Sequence, residues 1–142
     1  MRRDGVGAAG DKLVGYASSQ AHSSAGKAFE FMGLGATKLR AIATDPQHRI
    51  DVAALDAAVE ADVKAGLRPF VQVASAGTVN IGAFDDLVAL RRIADRHGLW
   101  LHVDGAFGAL TVLAPSERHR VDGIDAADSI AFDFHKWLHV PY

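Results

Sequence analysis

Hydrophobic and polar positions along the chain alternate between two periods. Leu13-Val14-Gly15-Tyr16-Ala17 is a short apolar run of the kind a buried strand needs. From Ala25 to Leu34 the pattern is helical, with Ser23 or Ser24 placed to cap it and Gly33 and Gly35 placed to stop it. Leu39-Arg40-Ala41-Ile42-Ala43 is a weaker strand candidate. Asp51 then precedes Val52, Leu55, Val59 and Val63, a helical spacing that ends near Gly66. Pro69-Phe70-Val71-Gln72-Val73-Ala74-Ser75 is the next strand, and the turn-rich stretch Ala76 to Gly82 follows it. A helix is predicted from Asp85 to His97, closed by Gly98, with basic residues in its last turns. Leu99 to Val103 and Ser129 to Phe132 complete the strands.

Strands alternating with helices of this length predict an α/β fold, with right-handed crossovers, a mostly parallel sheet and helices on both faces. In such sheets ligands sit at the carboxyl ends of the strands. No internal repeat or low-complexity tract interrupts the pattern. The chain ends at Pro141-Tyr142, directly after an apolar-aromatic run, so it reads as a fragment.

Composition narrows the function classes. With 142 residues, 49% hydrophobic and 23% charged, the chain suits one domain at most. A net charge of −2 with scattered Lys and Arg favours neither nucleic acid nor an anionic membrane as partner. There is no cysteine, which excludes disulfides and thiolate metal sites, and no metal site is expected. Met1-Arg2-Arg3-Asp4-Gly5 is basic, but no apolar stretch follows it, so a secretory signal is not expected. No run approaches the roughly 20 apolar residues that cross a bilayer. The expectation is a cytoplasmic protein.

Three clusters fall at the carboxyl ends of predicted strands: Ser18 to His22, Asp104, and His135-Lys136. Lys136 lies within Phe132-Asp133-Phe134-His135-Lys136-Trp137-Leu138, an apolar, aromatic setting of the kind that lowers an amine's pKa enough for a Schiff base. Taken alone, it reads more readily as a surface cation whose stem lies along aromatic rings. Asp104, between an apolar strand and Gly105-Ala106, either meets a cation such as a pyridinium nitrogen or caps a strand-to-helix turn. His22 suits stacking on a ring or proton transfer, or only a structural place before a helix.

Together these residues carry a resemblance. Tyr16 to Ser24, Ala74 to Thr78 with Gly82 to Asp85, Leu99 to Gly108, and Ala127 to Trp137 resemble, in order, four segments of the pyridoxal-phosphate-dependent decarboxylases related to aromatic-L-amino-acid and glutamate decarboxylases. The resemblance implies the central part of an aspartate-aminotransferase-like (fold type I) large domain. Residues 1–142 would then be a partial cofactor-binding domain, without its N-terminal segment and C-terminal small domain. It also implies pyridoxal 5'-phosphate as cofactor, Lys136 as the Schiff-base lysine and Asp104 as the partner of the pyridine nitrogen. His22 would stack on one ring face with Ala106 against the other, His135 would lie near the phosphate, and Thr78 would contact the cofactor. The expected reaction is decarboxylation of a small-molecule L-amino acid by a homodimer.

Three departures stand out. Val79 replaces a frequent second threonine, Ser19 a frequent acid, and Asp133-Phe134 the frequent Asp/Asn-Pro. Asp133 has the wrong charge to hold a phosphate, so an orienting role suits it. Alternatives are another fold-type-I enzyme (carbon–carbon lyase, desulfurase or transaminase) and an inactive cofactor-binding fragment. A nucleotide-binding domain would want a glycine-rich loop directly after a strand, and none is present.

Overall fold

All six residues of Leu13–Ser18 (β1) are buried, the outcome of an unbroken apolar run covered on both faces. The computed structural model describes residues 6–141; the basic start Met1 to Gly5 and Tyr142 lie outside the described residues. A single helical turn, Gly7–Gly10 (α1), precedes β1. The other strands are Leu39–Ile42 (β2), Arg68–Ser75 (β3), Trp100–Asp104 (β4) and Ser129–Ala131 (β5). They form one sheet in the order β2-β1-β3-β4-β5, with every pairing parallel.

The wiring follows from the rule that parallel neighbours need crossovers of one hand. The first crossover runs through Ser24–Phe31 (α2) to the edge strand β2. The chain then doubles back through Val52–Lys64 (α3) to β3 on the far side of β1, and continues outward through Leu87–His97 (α4) to β4. A reversal of direction with constant handedness places α2 on one face of the sheet and α3 and α4 on the other. The two faces are covered unequally as a result.

Val14 and Tyr16 of β1, Ala74 of β3, and Leu101 and Val103 of β4 turn toward α3 and α4. There they meet Leu55, Val59, Leu90 and Ile93 in one core. Each fully buried aliphatic side chain contributes about 1.5–3 kcal/mol. By the period of two, Gly15, Val71, Val73, Ser75, His102 and Asp104 face the opposite way, toward α2. Gly15 is required there: a Cβ would stand 2.5 Å from Phe29 Cζ of α2 and 2.7 Å from Val71 Cγ1.

Several element ends differ from the sequence expectation. Neither Ser23 nor Ser24 caps α2 through a hydroxyl accepting from its first turn; His22 Nδ1 accepts from Ser24 N–H at 3.3 Å. Asp51 caps α3 as predicted, accepting from Ala54 N–H at 3.0 Å. Val63, expected on the apolar stripe, is 53% exposed in the last turn of that helix. Helix α4 begins at Leu87 with Asp86 as its cap, while Asp85 is buried outside it. The Asp85 carboxylate accepts from Ile50 and Ser75 N–H, both at 2.7 Å, and so ties two loops together. Between β4 and β5 the crossover is three short 3-10 turns, with Pro115 and the left-handed Gly123 in the links between them.

Candidate active site

The loops after β1, β3, β4 and β5 all leave the carboxyl rim of the sheet, and on the α2 face they surround a cavity of about 710 Å³. That volume is in the range of small-molecule sites. His22, Asp104, Ala106, Asp133 and Lys136 line it, with Gly77 and Val79 from the loop after β3. Its apolar wall includes Phe29 of α2 and Phe70, Val71 and Val73 of β3. The amine, the acid and the imidazole singled out from the sequence therefore share one cavity on one rim.

The β1 loop turns tightly, with Gln20 N–H donating to Ser18 Oγ at 3.0 Å and Ala21 N–H to Ser18 O at 2.9 Å. This brings His22 to the first turn of α2. Nδ1 accepts from the Ser24 amide at 3.3 Å and is hydrogen-bonded to the Ser24 hydroxyl at 2.9 Å, which ties the ring to the start of the helix. The ring itself is exposed.

Asp104 ends β4 and accepts from Ala106 N–H at 3.2 Å, so the turn-capping contact read as one alternative is present. The loop after β3 is knitted to it: Ala76 N–H donates to Asp104 O at 2.8 Å, and Gly108 N–H to Ala76 O at 2.9 Å. Gly77 sits in the left-handed region at φ 81°, where a Cβ would approach Gly108 N to 3.1 Å. Thr78 is buried, its hydroxyl oxygen accepts from Ala83 N–H at 3.0 Å, and it is not among the residues lining the cavity. His135 is exposed and likewise outside that lining.

Lys136 differs most from expectation. Its Nζ lies 2.6 Å from Asp133 Oδ2 and 4.6 Å from the centroid of the Phe107 ring. Trp137 packs against the same ring at 6.2 Å. The setting is thus an ion pair among aromatics, in place of the purely apolar one read from the sequence. The hydrogen bond from Lys136 holds the Asp133 carboxyl below the usual carboxylate range.

His102, part of the strand that the sequence predicts over Leu99 to Val103, also lines the cavity. Trp100 Nε1–H donates to Ser129 Oγ at 2.8 Å, and the same oxygen is hydrogen-bonded to His102 Nδ1, also at 2.8 Å. The signal for His102 was available: two residues before Asp104 on one strand means the same face.

Residues 4–142 match the pyridoxal-dependent decarboxylase conserved domain, and the chain belongs to that family. Pyridoxal phosphate is the family's cofactor. The chain is 44% identical over 131 residues to the aromatic-L-amino-acid decarboxylase of Drosophila lebanonensis, covering 92% of this chain and 32% of that protein. Among solved structures it is similar to Oryza sativa TDC with PLP and tryptamine (TM-score 0.89, 37% identity, 96% of this chain and 28% of that one). It is also similar to mouse CSAD (TM-score 0.88, 38% identity, 90% of this chain and 27% of that one). The chain spans about a third or less of the length of these proteins.

The donor set suits such a cofactor. An amine can bond an aldehyde carbon, a carboxylate can pair with a ring nitrogen, and an imidazole beside small residues can lie along a flat ring.

Proposed function

We propose that these residues form the cofactor-binding centre of an enzyme that releases carbon dioxide from an L-amino acid, with Lys136 as the lysine that carries the cofactor. The observation that supports this most is that Lys136, Asp104 and His22, brought by three separate loops, line one cavity at the carboxyl rim. Aromatic L-amino acids are the favoured substrate class, because that is what the name of the Drosophila relative specifies. The active form is read as a cytoplasmic homodimer on the resemblance alone.

Pyridoxal phosphate, when bound, supplies an electron-poor ring that accepts the electron pair of the bond to the departing carboxylate. The protein's share is electrostatic and geometric. Asp104 pairs with the ring nitrogen and keeps a proton on it, fixed in place by the Ala106 amide. His22 covers one face of the ring, held by its contacts to Ser24, and Ala106 offers the other face a surface without bulk. Thr78 acts through the backbone: by accepting from Ala83 N–H it shapes the loop that brings Gly77 and Val79 to the cavity. His135 is assigned to the phosphate side, on the resemblance.

The test is borohydride reduction of the cofactor-loaded protein followed by peptide mass spectrometry. The pyridoxyl mass is expected on the peptide containing Lys136 and is expected to vanish in Lys136→Ala. A stable adduct on another lysine, or one surviving in the variant, would remove Lys136 from this role. Carbon dioxide release from a panel of L-amino acids identifies the reaction and the substrate class.

A further inference from the structure

Behind Ser75 and Asp104, which end β3 and β4, the cavity floor is made by Val71 and Val73 of β3 and His102 of β4. His102 is the polar member of this group. Parallel register sets it beside Val73 on one side and Ser129 of β5 on the other. The imidazole is held by one nitrogen. Its Nδ1 is 2.8 Å from Ser129 Oγ, and Trp100 Nε1–H donates to the same oxygen at 2.8 Å. Its Nε2 has no hydrogen-bond partner among the described residues. Water can serve such an atom, but a ligand that fills the cavity displaces water, and a polar atom then left unpaired weakens binding. A ring already held on its far side loses less freedom when a ligand meets it.

We propose that His102 is a further ligand-binding residue of this cavity. Through Nε2 it meets a hydrogen-bonding substituent of the same flat heteroaromatic ring whose nitrogen pairs with Asp104, and Ser129 acts through it as a positioning residue. The inference rests on the reading of the cavity given above and adds a polar contact to it. Asp104 and His102 project from one face of one strand, roughly 6.5 Å apart along it. Polar groups on a single substituted ring can span that separation. An imidazole nitrogen either donates or accepts, so a hydroxyl on the ring satisfies it in both tautomers.

Affinity, rather than turnover, tests the contact. Dissociation constants of pyridoxal 5'-phosphate and of pyridoxamine 5'-phosphate, which has no aldehyde to bond a lysine, are measured by equilibrium dialysis, with circular dichroism as the check on folding. Glutamine at position 102 keeps a polar atom near the place of Nε2, and asparagine keeps one near the place of Nδ1. His102→Phe and His102→Asn are expected to weaken both ligands roughly tenfold, the effect of one hydrogen bond, while His102→Gln stays close to wild type. Ser129→Ala is expected to weaken binding when His102 is present and to have no effect in the His102→Phe background. The reverse order, with affinity kept by His102→Asn and lost in His102→Gln, would make the imidazole a brace between strands and overturn the proposal. Wild-type affinity in a folded His102→Phe, or additive effects of the two sites, would overturn it as well. Failure of the Lys136 assignment shows separately, as a borohydride adduct on another lysine, and leaves the pyridoxamine phosphate affinities to decide this contact.

Discussion

Asp104 has an apolar strand behind it, the Ala106 amide on one carboxylate oxygen, and a cavity in front. A charge placed in this way acts on whatever positive centre enters the cavity, and removing such a preorganised group typically costs catalysis about 10²–10³-fold. Asp104→Ala in the active protein is therefore expected to lower turnover by about 10²-fold or more while part of the cofactor remains bound, measured by carbon dioxide release and the cofactor's absorbance. Near-normal turnover would count against pairing with the ring nitrogen. At this scale the sequence was informative wherever an unusual residue stood at the carboxyl end of a predicted strand or in the loop after it, as Asp104, His22 and Lys136 do. It was less so for long side chains. Nothing in Asp133-Phe134-His135-Lys136 says that the lysine folds back onto its own carboxylate, because that depends on the turn of the backbone. Thr78 stands in the right loop, yet its hydroxyl serves Ala83 and the neighbouring Gly77 and Val79 reach the cavity.

Elements are joined by a few polar clusters, one of them centred on Asp62. From α3 it accepts from Arg40 Nε and Nη2 of β2, both at 3.1 Å, and from Tyr16 Oη of β1 at 2.9 Å. Burial pushes the Asp62 carboxyl up, but the hydrogen bonds from Arg40 and Tyr16 outweigh it and hold the group below its ordinary value of 3.8. The native state then binds this proton less tightly than the unfolded chain. The stabilisation is present above pH 3.8 and is lost as pH falls through the lower native value. Asp62→Ala is expected to reduce stability at neutral pH by about 1–3 kcal/mol, because the buried Tyr16 hydroxyl loses its acceptor. In urea titrations the difference from wild type should shrink below that pH; a constant difference would contradict the linkage. The helices themselves were legible through their ends, with Asp51 and Gly98 both where the capping rules put them. The start of α4 was misread by two residues because Asp85 and Asp86 are equivalent in sequence. Only the fold shows that the first is drawn inward to the Ile50 and Ser75 amides. The crossover after β4 carried no periodic signal, since its 3-10 turns are too short to repeat one.

Across the whole molecule, periodicity identified which residues enter strands but not which strands are neighbours. The order β2-β1-β3-β4-β5 comes from crossover handedness and packing, which a linear pattern does not encode. Among the described residues β5 pairs only with β4, and Ile130, Phe132, Phe134, Trp100 and Trp137 are all exposed around it. An open strand edge with apolar neighbours promotes association. The chain is expected to self-associate with rising concentration in sedimentation velocity, and the double variant Phe132→Ser, Phe134→Ser is expected to lower the average mass. An unchanged mass distribution in that variant would place the contact elsewhere. A different consequence follows from Gly15. Phe29 rests where a side chain at position 15 would stand, so the bare backbone of one strand sets how deeply α2 seats. That helix begins two residues after His22. The height of the imidazole above the cavity mouth is thus governed from several residues upstream, by a hydrogen atom where any other amino acid would place carbon. Tuning the ring-covering contact therefore does not require touching the histidine.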